Sequence, residues 1–163
     1  MLAEAALSQV ADQDLNRNIS KGSNSISILV RHLAGNLTSR YTDFLLPDVD
    51  GEKPWRNREQ EFDVVDLERE ELTRIWKAGF ESLNAALLKL SDEDFSRLVI
   101  IRGVEMRVDA ALHRSLAHFT YHVGQIILLA RYFAGESWET LTVLSGQSSS
   151  SSHGTEQSEL IKW

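Results

Sequence analysis

The stretch VDAALHRSLAHFTYHVGQIILLARYF, residues 108–133, decides the fold. It contains no proline, and Ala111, Leu116, Phe119, Val123, Ile126, Ile127 and Ala130 recur at the three- and four-residue intervals of one helix face. Gly135 follows where a residue with positive φ commonly ends a helix. A long amphipathic helix with a broad apolar stripe cannot bury that stripe alone, so the rest of the chain must supply its partners.

Three further segments carry the same signal. Leu2, Ala6 and Val10 give a short first helix, stopped by a polar run over residues 12–25. Ser23, Asn24 or Ser25 can cap a second helix over residues 26–45, in which Ile28, Leu29, Leu33, Leu37, Tyr41 and Phe44 spread apolar surface over much of the circumference and predict burial. A third helix is predicted from Asp66, with Glu68, Glu70 and Glu71 early and Arg74 and Lys77 later, an order that suits the helix dipole and allows a Glu70–Arg74 pair. Leu72, Ile75, Trp76, Phe80, Leu83, Leu87 and Leu88 are its expected core face. Both prolines, Pro47 and Pro54, fall in the intervening stretch 47–62, which has no sustained period and reads as a long loop, a feature often functional in a compact domain. Residues 98–101 are β-branched and short, so an extended segment or hairpin is expected before the last helix. The sum is an all-α four-helix bundle, one domain over residues 1–146, followed by a serine-rich tail, 147–163, expected to be flexible.

Composition narrows the chemistry. In 163 residues, 17 Lys and Arg stand against 24 Asp and Glu for a net charge of −7, which argues against nucleic acid or an anionic membrane as partner. The chain has no cysteine, so thiolate metal sites and a cysteine nucleophile are excluded and any metal must use His, Asp or Glu. Residues 1–13 lack the basic and apolar regions of a signal peptide, and a cytoplasmic location is expected.

The histidines are the informative residues. His118 and His122 stand four apart on the last helix, about 40° in azimuth and about 6 Å along the axis, so both rings can reach one ion. His32 sits in the apolar run of the second helix, where a buried imidazole needs partners for its nitrogens and a facing helix can supply them. His113, about 140° from His118, points elsewhere, and His153 lies in the serine tail. Three imidazoles with an open fourth position form a recognised catalytic metal arrangement. Asn36 and Arg40 continue the His32 stripe, and Gln125 shares a face with His118 and His122; these three are the pocket candidates. Asp43 and Arg114, near helix ends, read as solvated.

Three segments, SILVRHLAGNLTSR (27–40), GEKPWRNREQEF (51–62) and SLAHFTYHVGQI (115–126), resemble in order those of a bacterial branch of the DinB/YfiT-like superfamily. The resemblance implies a four-helix bundle with a divalent metal on His32, His118 and His122. Members with known activity resemble thiol S-transferases or thiol-dependent isomerases that use bacillithiol, mycothiol or glutathione. The resemblance therefore implies a metal-dependent transferase joining a low-molecular-weight thiol to an electrophilic small molecule. With no cysteine in the chain the thiol must arrive as a cosubstrate, its carboxylates met by Arg40, or by Arg56 and Arg58 of the loop. Zinc and nickel both suit imidazole ligands. The alternatives are a non-catalytic metal- or ligand-binding module and a metal-assisted hydrolase, for which Asp43 is the nearest general base by helical phase. Trp55 is expected to anchor the loop, and a homodimer is expected from the apolar helices.

Overall fold

The computed structural model describes residues 2–46 and 49–142; the serine-rich tail and Pro47 lie outside these. Four helices, α1 (Leu2–Leu7), α2 (Ile26–Tyr41), α3 (Arg69–Leu87) and α4 (Val108–Ala134), form the bundle. A two-stranded antiparallel hairpin, β1 (Leu98–Ile101) and β2 (Val104–Arg107), leads directly into α4. Short 3₁₀ turns punctuate the connections, among them Glu59–Phe62.

α2 is the central element because it is apolar around most of its circumference, and thirteen of its sixteen residues are buried. Ser25 caps it, its hydroxyl accepting the Ile28 N–H at 3.3 Å. The helix stops at Tyr41, four residues before the expected end. Asp43 takes a left-handed conformation, φ 56°, and the chain turns back so that Phe44 is buried with its ring 5.1 Å from that of Tyr41. α2 packs chiefly on α3, α1 on α4, and α2 on α4. One cluster (Leu29, Leu33, Trp76, Ile126) fills the α1 end and another (Leu37, Tyr41, Val99, Ile101, Val108) the hairpin end, with Phe80 and Phe119 touching both.

Two α3 expectations fail for identifiable reasons. The helix starts at Arg69 rather than Asp66, because the Asn16 amide donates to Leu67 O at 3.0 Å and accepts Leu67 N–H at 3.3 Å, bonds that hold this stretch extended. Arg74 forks onto Glu71, at 2.6 and 2.9 Å, in place of Glu70. Leu87 and Leu88, at the end of α3, are exposed rather than core, as is Leu116 on α4; the last lines an apolar depression with Leu112, Phe80 and His113.

α2 and α3 come together at Gly79, where a Cβ would sit 2.9 Å from Ala34 Cα. A β-branched side chain there must push the helices apart, so Gly79→Val is expected to cost about 1–3 kcal/mol, read as a lower urea midpoint at unchanged m-value.

The loop between α2 and α3 is strapped across one side of the bundle. Ser39 on α2 donates its hydroxyl to Gly51 O at 3.1 Å and accepts Lys53 N–H at 2.9 Å. Gly51 N–H donates to Ile100 O on β1 at 2.8 Å. Asp50 accepts the N–H groups of Glu52, Arg102 and Gly103 at 2.7, 2.8 and 2.7 Å, clasping the loop to the hairpin turn. Burial raises the Asp50 pKa, but these backbone donors take it below the ordinary carboxylate value. Trp55, the expected anchor, is 58% exposed; polar bonds hold the loop instead.

Candidate metal centre

α2 and α4 face each other through histidines. His32, buried in α2, has its ring centroid 5.2 Å from that of His118 and 4.9 Å from that of His122, and the last two rings lie 4.7 Å apart. The helical repeat puts the two α4 rings one turn apart on one face, and the close α2–α4 packing brings His32 opposite them. Their candidate ligand nitrogens all lie within 4.8 Å of one another. His32 Nε2 and His118 Nε2 are 3.2 Å apart, close to the roughly 3.4 Å that two nitrogens bound at about 2.1 Å to one tetrahedral ion would show. The donor set therefore fits a divalent cation.

The surroundings set the ring tautomers. His32 Nδ1–H donates to Glu61 Oε2 at 2.9 Å, and His122 Nδ1–H donates to Gln125 Oε1 at 2.7 Å, which leaves each Nε2 with its lone pair free for the shared space. Gln125 donates in turn to the Tyr121 hydroxyl at 3.2 Å. Burial, and then the neighbouring His122, push the His118 pKa down to about 4, so its ring is neutral at physiological pH, the form that binds metal. Burial lowers the His122 pKa as well.

Glu61 is the residue the sequence did not single out. Its carboxylate is held by the Arg56 guanidinium in a two-pronged bond, Nε to Oε1 at 2.7 Å and Nη2 to Oε2 at 2.8 Å, and Arg56 also donates to Glu52 at 3.1 Å. Burial raises the Glu61 pKa, but the His32 and Arg56 bonds outweigh it and keep the group ionised. The carboxylate reaches α2 over Gly35, where a Cβ would overlap Oε1 and stand 3.0 Å from Cδ. That is the physical signal in the sequence: a glycine inside an apolar helix, three residues after a histidine, costs about 1 kcal/mol against alanine and marks a close approach.

Beside His118 opens a cavity of about 200 Å³ lined by His32, Asn36, Arg40, Arg58, Arg102, Arg114 and Ser115. Of the three pocket candidates, Asn36 and Arg40 line it and Gln125 does not. Arg114, read from the sequence as solvated, is part of the wall. Asp43 lines a different depression beyond the end of α2, with Phe44 and Lys89.

A family model described as "Protein of unknown function (DUF1572)" matches residues 1–147. The chain belongs to the DUF1572 family. Two solved structures share the fold of this DUF1572 chain. One is a conserved protein from Enterococcus faecalis, with TM-score 0.63 and 19% identity over 83% of this chain and 90% of that one. The other is a DinB-like protein from Bacillus cereus ATCC 10987, with TM-score 0.54 and 17% identity over 80% of this chain and 82% of that one. No curated protein matches the sequence. The DUF1572 chain is thus a helical bundle that shares its fold with a DinB-like protein, as its motifs suggest. Among its described residues no helix is long and apolar enough to cross a membrane.

Proposed function

We propose that this DUF1572 protein is a metal-dependent enzyme that joins a low-molecular-weight thiol to an electrophilic small molecule, with zinc or nickel held by His32, His118 and His122. The observation that carries this reading is the triangle of three imidazoles, two with their lone pairs freed by Glu61 and Gln125, beside a polar cavity. When bound, the ion would lower the pKa of a thiol at its open position and supply a nucleophile near neutral pH.

The chain's own residues do the rest. Glu61 and Gln125 orient two of the rings, and burial keeps the His118 ring neutral. Asn36 and Arg40 line the approach and are suited to hold the cosubstrate. The absence of cysteine requires that the thiol come from outside the chain. A hydrolase reading is less favoured, because Glu61, the carboxylate beside the histidines, spends both oxygens on Arg56 and His32 and is poorly placed to take a proton from water.

The test is a thiol-consumption screen with bacillithiol, mycothiol and glutathione against reactive electrophiles, run on protein loaded with zinc or nickel. Consumption is expected to require the metal and to be lost in His122→Ala. No metal-dependent consumption with any of the three would leave a non-catalytic binding module.

A further inference from the structure

The cavity beside His118 has a charge that the rest of the chain does not prepare for. The protein carries a net charge of −7, yet four arginines from four separate segments converge on this one space: Arg40 from α2, Arg58 from the loop, Arg102 from the hairpin turn and Arg114 from α4. Their charges are unequally answered. Arg102 donates to Glu52 at 3.2 Å, and Arg58 makes an exposed contact with Glu59 at 3.2 Å while its guanidinium lies 5.2 Å from the Phe62 ring centre. Arg40 and Arg114 form no ion pair among the described residues.

Arg40 is the decisive group. It is 5% exposed, and its Nε–H is buried without a hydrogen-bond partner. Burying a guanidinium that no carboxylate contacts directly works against folding, and Arg114 and Arg102 nearby add to that cost while the more distant Glu52 charge offsets only part of it. Such an arrangement is relieved when an anion enters, since a guanidinium fork matches the oxygens of a carboxylate or a phosphate. The Asn36 amide on the same wall adds a neutral donor. At about 200 Å³ the cavity lies below the usual range for whole ligands, so it has room for one end of a small molecule. His118 belongs both to this wall and to the histidine triangle, so a group held by Arg40 sits next to the reacting centre.

We propose that the cavity formed by Arg40, Arg58, Arg102 and Arg114 is an anion subsite that takes a carboxylate or phosphate group of a small-molecule ligand, leaving the other end of that ligand beside the three histidines. Anion binding itself needs no metal; its assignment to the substrate rests on the proposed function.

Calorimetric titration of the full chain, stripped of metal by chelator and held in low-chloride buffer, tests this with inorganic phosphate and with succinate as probes. At least one is expected to saturate the wild type, with the dissociation constant raised at least tenfold in Arg40→Met and in Arg114→Gln, and unchanged in Arg74→Gln, whose arginine is paired to Glu71 on the exposed side of α3. Tighter phosphate marks a site for a tetrahedral dianion, and tighter succinate a site for carboxylates. Arg114 is exposed, so its variant folds even if the Arg40 variant does not. Saturation by neither probe, or wild-type binding by Arg114→Gln, overturns the subsite. A protein that binds the anion but no metal contradicts the metal reading alone, and one that binds metal but neither anion contradicts the subsite alone.

Discussion

Arg56→Met is expected to lower the free energy of unfolding by about 3 kcal/mol, the low end of the cost of removing one partner from a buried ion pair. The Arg56 side chain is 2% exposed and that of Glu61 11%, and the two share a two-pronged bond. Without the guanidinium, the Glu61 carboxylate keeps only the His32 N–H, and a charge that was held ionised stays buried with one donor. Urea denaturation reads the loss directly. The companion variant carrying both Arg56→Met and Glu61→Gln removes both charges of the pair and still offers His32 an acceptor, so it is expected to be more stable than Arg56→Met alone. A double variant whose loss equals the sum of the two single losses would show that the pair is not coupled.

His118→Ala and His122→Ala are each expected to bring the metal content of natively purified protein from about one ion per chain to none, as measured by elemental analysis. With one imidazole gone, two nitrogens remain, fewer than the three protein ligands of known catalytic zinc sites. His113→Ala is the matched control on the same helix: His113 belongs to the wall of the apolar depression, and its loss is expected to leave the metal in place. Glu61→Gln falls between these, with affinity expected to drop about 10–100-fold, because the amide still accepts from His32 Nδ1–H but no longer makes that ring more basic. Metal content unchanged in both His118→Ala and His122→Ala would remove the three-histidine centre.

The parts of the molecule legible in its sequence are those set by local periodicity. α4 could be read closely, Leu116 apart, because its apolar spacing continues to Gly135, whose φ of 55° ends the helix, and the pairing of His118 with His122 is a property of that same repeat. Where a distant partner overrides the local pattern, the reading failed. The apolar spacing of Phe44 predicts more helix, but burial against Tyr41 is reached through a turn at Asp43. The start of α3 is set by Asn16, about fifty residues earlier in the chain. Glu61 sits in a loop with no period to guide a reading, and its position depends on Arg56 and on the gap left at Gly35. Trp55 looked like an anchor from its apolar area, whereas the Ser39 and Asp50 bonds already do that work and leave the indole in solvent. Arg114 is exposed, as its helix position implies, and it lines the cavity together with residues from α2, the loop and the hairpin turn, a convergence that no local pattern carries.

The Asp50 clasp has a consequence for how such a protein can change over time. Its three donors are backbone amides, so the side chains of Arg102 and Glu52 can vary without releasing it, within what the turn allows: the carboxylate is constrained, and so is the left-handed backbone at Arg102 (φ 56°) and Gly103 (φ 71°). One wall of the cavity is therefore an interchangeable part. Substitutions at Arg58 or Arg102 can retune which ligand end is accepted while the histidines, carried on the two packed helices, keep their spacing. Ligand preference and metal chemistry can then drift separately within one bundle.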